Sequence, residues 1–275
     1  MNVIFESDLA SPTLLPYSGL TGAQLKAAGG EGLFIAESLN VIAAALEAGH
    51  KPVSLLTGEK HIPAIEEAIG GLLGGTPVYT AAPEALERLT GFKLTRGVLC
   101  AMKRMPLPDA DEILKKARRI AVLEGVNDPE NVGSIFRSAA ALGMDAVLTA
   151  SNCCDPLHRR AARVSMGAVF RIPRAVLPCR EDDRNRLDIR PLKRAGFVTA
   201  AAALTDLAVP VNDERLKSAE KLAVLLGAEG PGLKAATIAE CDAAVKIPMA
   251  HGMDSLNVAS ASAVLFWELG IRQGP

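Results

Sequence analysis

The feature that most limits the fold is a repeated alternation of short apolar runs with segments of helical period. In the second half of the chain, apolar runs cover residues 119–123, 145–149, 197–201, 221–226 and 243–247. Helical periods cover residues 131–143 and 258–269. Strands that are apolar throughout and alternate with helices are typical of a parallel sheet covered on both faces. The sequence therefore predicts an α/β fold whose ligands bind beyond the carboxyl ends of the strands.

The first hundred residues show a smaller alternation of the same kind. Apolar runs predict strands at residues 32–36, 52–56, 77–80 and 97–102, and helical periods cover 37–49 and 62–73. Residues 105–111 then hold two prolines and two aspartates, which is typical of a stiff, polar connector. We therefore predict a first domain over residues 1–104, a linker over 105–117 and a second domain over 118–275.

Composition excludes several classes of protein. The chain has 30 basic and 31 acidic residues, so any nucleic-acid contact must depend on local basic clusters. One Trp and two Tyr exclude a broad aromatic platform for stacking bases. The five cysteines lack zinc or redox spacing, and neither a signal peptide nor a long apolar span is present. We expect a cytoplasmic protein with reduced thiols, no membrane association and no metal.

Residues 124–137 form the first of three loops that follow predicted strands. Asn131 is a suitable N-cap for the next helix. Arg137 lies four residues after Gly133, on the same helical face, and so has open space beside a helix N-terminus that favours anions. An ordinary capped helix with a solvated arginine would give the same pattern.

The second loop, residues 226–232, places three glycines directly after a strand. Glycines allow backbone to approach a ligand closely, and Glu229 favours a neutral or cationic ligand over a phosphate. A tight connection with an exposed glutamate is the alternative interpretation.

The third loop, residues 247–258, joins a strand to the last helix through small and polar residues. Asn257 is placed to cap that helix, and a capped loop without further function is the simpler interpretation.

Taken together, the three loops resemble the three motifs of the SpoU/TrmH family of RNA 2′-O-ribose methyltransferases, part of the SPOUT class. Residues 127–139 read NDPENVGSIFRSA, residues 226–233 read LGAEGPGL, and residues 247–259 begin with IPM and end with SLNVA. The segment RVSMGA at residues 163–168 also resembles the family, so that the resemblance covers residues 118–275. The first domain is similar, more loosely, to the family's accessory domain. Thr95 and Arg96 stand where the family often has His-Gln.

The resemblance implies a fold, a cofactor and a substrate. The fold is a SPOUT-type parallel sheet with a trefoil knot, preceded by a small α/β RNA-binding domain like a ribosomal protein. The reaction is S-adenosylmethionine-dependent methylation of a ribose 2′-hydroxyl in structured RNA, with ribosomal RNA preferred over transfer RNA. The expected partner is a second copy of the chain, with Arg137 and the last helix near the interface. The backbone around five residues is expected to bind the cofactor: Leu204, Gly227, Ile247, Met249 and Leu256.

The same resemblance assigns catalytic roles. Arg137 is expected to activate the hydroxyl. Because arginine stays protonated, it would stabilise the developing oxyanion or hold the adjacent phosphate. Orienting roles fall to Asn131, Glu229, Ser255 and Asn257.

The clearest basic cluster comprises Arg159, Arg160 and Arg163, with Arg171 and Arg174 beyond them. It is expected to contact RNA, although a solvated face would look the same. Two alternatives for function remain, an RNA-binding SPOUT protein without catalysis and an enzyme that methylates a base nitrogen. An oxidoreductase would need a dinucleotide fingerprint after the first strand, and none is present.

Overall fold

The computed structural model describes residues 1–28, 30–183 and 185–271. It divides the chain into two compact units. The first unit comprises Met1–Pro106 and Leu157–Phe170, and the second comprises Leu107–Pro156 and Arg171–Pro275. The division falls inside the predicted linker. Residues 157–170 belong to the first unit, although the sequence predicted them within the second domain.

The first unit contains a mixed sheet of order β1-β4-β3-β5-β2. Its strands are β1 (Asn2–Phe5), β2 (Leu33–Glu37), β3 (Pro52–Thr57), β4 (Pro77–Thr80) and β5 (Val98–Lys103). β1, β4 and β3 pair in parallel, whereas β5 pairs antiparallel with both β2 and β3. The four predicted strands are present. β1 escaped prediction because it is four residues long and exposed throughout, so it lacks a buried apolar signal.

The second unit contains a sheet of order β10-β12-β9-β11-β6-β7-β8. Its strands are β6 (Arg119–Glu124), β7 (Ala146–Ala150), β8 (Arg174–Leu177), β9 (Val198–Ala202), β10 (Val209–Pro210), β11 (Leu222–Gly227) and β12 (Ala243–Lys246). Every pair of these strands is parallel, which confirms the predicted α/β class. β8 and β10 were not predicted, because strands of four and two residues are too short to show a pattern.

The helices in chain order are α1 (Gly22–Ala27), α2 (Leu39–Glu47), α3 (Ile62–Ile69), α4 (Pro83–Thr90), α5 (Ala110–Lys116), α6 (Pro129–Ala141), α7 (Arg159–Val164), α8 (Ala168–Arg171), α9 (Arg190–Arg194), α10 (Glu214–Lys217), α11 (Ala235–Glu240) and α12 (Val258–Leu269). Short 3-10 helices cover Pro12–Tyr17, Glu59–His61 and Gly70–Leu72. Across residues 1–28, 30–183 and 185–271, no helix has both the length and the apolarity to span a membrane.

Part of the predicted linker is a helix that packs into the second unit. Asp109 caps α5 by accepting a hydrogen bond from the Asp111 N–H, and the helix lies against β8. Its Ile113 and Leu114 are buried in the core of this unit. The connection between the units is therefore shorter than the 13 residues that composition suggested, because α5 pairs a polar exposed face with two buried apolar residues.

The start of α6 differs from the prediction. The helix begins at Pro129, and the Asp128 side chain caps it by accepting from the Glu130 N–H. The prediction that Asn131 is the cap is therefore wrong, since proline at the first position and aspartate before it favour the earlier start. The predicted cap of α12 is confirmed, because Asn257 accepts hydrogen bonds from the Ala259 and Ser260 N–H groups.

The central strands of the second unit, β6, β7 and β11, are buried along their whole length and mostly apolar. In the register of β6 with β11, Gly227 lies opposite Glu124. The carboxyl ends of these strands therefore coincide, and the first and second loops emerge side by side.

Candidate active site

A cavity of about 500 Å³ lies at the carboxyl ends of β9, β11 and β12. Its walls come from residues 202–205, 226–233, 245–247, 249 and 254–258, with contributions from α11 and α12. The volume is in the range of small-molecule sites. All five residues predicted to bind the cofactor line this one cavity: Leu204, Gly227, Ile247, Met249 and Leu256.

The glycines of residues 226–233 let that loop fold onto itself. Ala228 and Gly232 exchange backbone hydrogen bonds of 3.2 and 2.9 Å. A Cβ atom on Gly227 would lie 2.1 Å from the carbonyl carbon of Gly232, and Gly232 itself has a φ of +70°. The close approach that requires glycine at 227 is therefore made by the loop's own backbone.

Three of the predicted catalytic residues form one hydrogen-bonded network. The Asn131 amide donates to the Glu229 carboxylate over 3.0 Å. The Asn257 amide donates to the Asn131 amide oxygen over 2.9 Å and to the other Glu229 oxygen over 3.4 Å. Because Asp128 caps α6, the side chain of Asn131 is available for this network. The three sequence motifs thus meet at one wall of the cavity.

Ser255 and Arg137 lie outside this network. Ser255 is exposed and lines the cavity. Arg137 is exposed on α6 and is absent from the cavity lining. Within the part of the chain that the structure describes, its guanidinium has no hydrogen bond or ion pair. Three of the five predicted catalytic residues are therefore joined by hydrogen bonds, Ser255 lines the same cavity, and Arg137 is exposed at the surface.

The cavity fits a cationic ligand with a large apolar portion. Its lining holds the carboxylates of Glu229 and Asp254 and one ammonium group, that of Lys246. Leucine, isoleucine, valine and methionine side chains supply much of the remaining wall. A sulfonium centre suits the carboxylates, and an adenine ring suits the apolar surface. The residues present are therefore compatible with S-adenosylmethionine.

The three arginines predicted to bind RNA lie in the first unit, and their surroundings there differ from one another. Arg159 donates to the buried carboxylate of Glu37 over 2.8 Å, and its guanidinium lies 4.0 Å from the ring centroid of Phe92. Arg163 contacts the other Glu37 oxygen at 3.3 Å. Arg160 is exposed. Two of the three arginines are therefore ion-paired and partly buried, whereas Arg160 is exposed.

Sequence reasoning gave no role to Glu124, which is buried at the end of β6. Its carboxylate accepts hydrogen bonds from Leu187, Lys234 and Thr237. The available signal was a charged residue directly after the four apolar residues 120–123 of β6.

The cysteines are free thiols, and burial raises the pKa of Cys154 and of Cys241 to about 11. Among the described residues, no group of three His, Cys, Asp or Glu side chains is arranged to hold a metal ion.

An all-parallel sheet with three loops converging on a cavity at its carboxyl edge defines an α/β protein that binds a small molecule there. The model of the SpoU rRNA Methylase family matches residues 118–267. The chain belongs to this family. The assignment confirms the prediction of an S-adenosylmethionine-dependent RNA ribose methyltransferase.

Known proteins resemble the chain over most of its length. An uncharacterized tRNA/rRNA methyltransferase of Mycobacterium tuberculosis is 42% identical over 87% of this chain and 81% of its own length. The 23S rRNA (guanosine(2553)-2′-O)-methyltransferase RlmP of Bacillus subtilis is 30% identical over 71% of this chain and 73% of its own length. The AdoMet-bound rRNA methyltransferase of Sinorhizobium meliloti has the same fold, with a TM-score of 0.79 at 24% identity and 97% coverage of both chains.

Proposed function

We propose that the cavity binds S-adenosylmethionine and that the adjoining network presents an RNA ribose 2′-hydroxyl for methylation. The observation that carries this proposal is the contact of Asn131, Glu229 and Asn257 at the wall of a cavity lined by all five expected cofactor-binding residues. A binding protein without catalysis would have no need for a hydrogen-bonded network of these three motif residues beside that cavity.

The residues that line the cavity would hold S-adenosylmethionine, whose sulfonium would supply the methyl group for the ribose 2′-oxygen. The thioether would leave with the electron pair of the sulfur–methyl bond, and solvent water would take the hydroxyl proton. The network of Asn131, Glu229 and Asn257 holds the loops in place and orients the ribose, with Ser255 beside it. Arg137 is permanently protonated, so it stabilises negative charge on the attacking oxygen or holds the adjacent phosphate. Pre-positioning of the hydroxyl provides the rest of the rate enhancement.

A homodimer would give Arg137 a place in the reaction. Ser260, Val264, Trp267 and Ile271 are exposed and follow the spacing of one helical stripe on α12 and just beyond it. Val264 is 38% and Trp267 58% exposed. α12 packs on α6, whose exposed face carries Arg137. A largely apolar stripe beside an arginine that has no partner within the described residues fits an interface with a second copy of the chain.

The knot and the role of the first unit belong to the same proposal. β12 lies beyond β9 in the sheet, whereas α12 packs against β11 and α6. We propose that residues 247–257 return past the connection between β9 and β11, as the trefoil knot of this family would require. The first unit is proposed to bind the RNA, as the accessory domain does in this family.

Ribosomal RNA in the cytoplasm is the proposed substrate, with transfer RNA the second candidate. The name of the Bacillus subtilis relative specifies 23S rRNA, whereas that of the Mycobacterium tuberculosis relative includes both classes.

The test is methyl transfer from labelled S-adenosylmethionine into separate ribosomal and transfer RNA pools, followed by alkaline hydrolysis. A 2′-O-methyl group blocks cleavage at its own phosphodiester, so label in alkali-resistant dinucleotides supports the proposal and identifies the RNA class. Label in mononucleotides would indicate base methylation. No label in either pool, while the protein still binds RNA, would favour the binding-only alternative. Light scattering on the same preparation measures whether the protein is a dimer.

A further inference from the structure

Glu124 is a buried carboxylate that no cation neutralises in the described part of the chain. It is the last residue of β6 and is 2% exposed. One oxygen accepts from the Leu187 N–H at 2.9 Å and from the Thr237 hydroxyl at 2.8 Å. The other accepts from the Lys234 N–H at 3.1 Å. Ionised groups are costly to bury, so these three donors must be held firmly around the carboxylate.

The Lys234 contact fixes one end of the loop that forms the cavity wall. Lys234 follows Leu233 directly, and residues 226–233 line the cavity. The other end of the loop is fixed by the sheet, where Gly227 lies opposite Glu124. Both ends of this loop are thus anchored on the same residue of β6. Glu229, which accepts from Asn131 and Asn257, lies between the two anchors.

A second connection near the same point lies at the surface. The Lys234 ammonium contacts the Asp183 carboxylate at 2.8 Å, with side chains 39% and 43% exposed. Exposed ion pairs contribute little to stability. The buried hydrogen bond from the Lys234 backbone is therefore the stronger of the two constraints on the loop end.

We propose that Glu124 is a positioning residue for the cofactor cavity. Through the Lys234 N–H it holds residues 226–233 in the folded-back shape that binds S-adenosylmethionine and presents Glu229. This inference rests on the proposed binding of the cofactor in that cavity.

The hydrogen bond can be removed without changing Glu124. Lys234 has a φ of −63°, within the range of proline, and the proline ring would replace the N–H and displace the Glu124 carboxylate from it. Lys234→Pro removes the N–H donor and the ammonium, whereas Lys234→Ala removes only the ammonium and is the matched control. We expect the dissociation constant for S-adenosylmethionine, measured by calorimetry, to rise about tenfold in the proline variant and less than about twofold in the alanine variant.

Glu124→Gln and Thr237→Val form a second matched pair. Glutamine replaces one acceptor oxygen with a donor, so it cannot satisfy Lys234, Leu187 and Thr237 together. Valine at 237 removes one donor from the oxygen that does not contact Lys234. Both variants should lower thermal stability, but only Glu124→Gln should weaken cofactor binding.

Hydrogen exchange of the full-length protein without cofactor provides a readout that does not depend on cofactor binding. The amides of Ala228 and Gly232 should exchange faster in Lys234→Pro than in Lys234→Ala. Equal affinity and equal exchange in these two variants would overturn the positioning role. If the unmodified protein fails to bind S-adenosylmethionine, the proposed function fails, while the exchange comparison still tests Glu124.

Discussion

Two glutamates, one in each unit, end buried strands and are stabilised in opposite ways. Glu37 closes β2 and Glu124 closes β6, with exposures of 3% and 2%. Glu37 is neutralised by the guanidinium groups of Arg159 and Arg163, whereas Glu124 is surrounded by two backbone N–H groups and one hydroxyl. A glutamate at the end of a buried strand can therefore position a helix through ion pairs, as Glu37 does. It can also position a loop through hydrogen bonds from neutral donors, as Glu124 does.

This difference separates the arginines of the chain into two groups. Arg159 and Arg163 are committed to Glu37 inside the first unit. In the second unit the network at the cavity pairs the Glu229 carboxylate with neutral amides and not with an arginine, and Arg137 remains without an ion pair among the described residues. We expect an arginine that acts in catalysis or in RNA binding to be one without such an ion pair.

Arg137→Ala should have the largest effect on activity. We expect methyl transfer to fall by about a hundredfold or more, because a preorganised positive charge is lost from the transition state. The dissociation constant for S-adenosylmethionine should stay unchanged, since Arg137 is absent from the cavity lining. Single-turnover transfer and calorimetry measure the two quantities. A variant that loses cofactor binding along with activity would place Arg137 within the cavity instead.

Glu37→Gln should destabilise the first unit. Two guanidinium groups lose a buried carboxylate, and their side chains are 26% and 33% exposed, so water compensates in part. We expect a loss of about 2 kcal/mol in the free energy of unfolding, less than for a fully buried pair.

Urea denaturation followed by circular dichroism measures this loss. Glu31→Gln is the matched control, because Glu31 forms an exposed pair with Lys103 and its removal should leave the unfolding midpoint unchanged. Equal midpoints for the two variants would remove the basis for treating Glu37 as the anchor of α7.

Arg160→Ala should weaken RNA binding without affecting stability, because this side chain is exposed. The slope of log K against log salt should decrease by about one, with affinity reduced several-fold. Arg159→Ala is the contrasting variant, and it should lower stability more than it lowers the salt slope. A steeper loss of RNA affinity in Arg159→Ala would show that the ion-paired arginines also reach the RNA.

The smallest expected effect is on the rates at which two cysteine thiols are alkylated. Burial raises the pKa of Cys154 in the second unit to about 11, and it also raises that of the fully buried Cys100 in the first. At pH 8 about one Cys154 in a thousand is a thiolate, so alkylation should be slow and should accelerate tenfold per unit of pH. Cys100 should react only on unfolding. Mass spectrometry of the alkylated native protein measures both rates.

The sequence predicted the architecture well where residues are apolar in long runs. β6, β7, β9, β11 and β12 were predicted from that signal, and the ends of α12 agree with the structure. The short edge strands β1, β8 and β10 were missed, because runs of two to four residues are too short to show a period.

The site was predicted less completely than the fold. The motifs identified Asn131, Glu229 and Asn257, and their contact followed from parallel strand ends meeting at one edge. Neither motif nor periodicity could show that Arg159 and Arg163 pair with Glu37, since the partners are more than 120 residues apart. The role of Glu124 likewise depends on donors from segments distant in sequence.

The capping of α6 by Asp128 has a consequence for how this protein can change over evolutionary time. Asp128 caps the N-terminus of α6. Asn131, one turn later, joins the network at the cavity. Selection for thermostability and selection for turnover therefore act on different side chains of the same turn. Asp128 can drift to serine or asparagine with little loss of stability, whereas the role proposed for Asn131 would hold that residue fixed, so adaptation to a new temperature need not alter the proposed site.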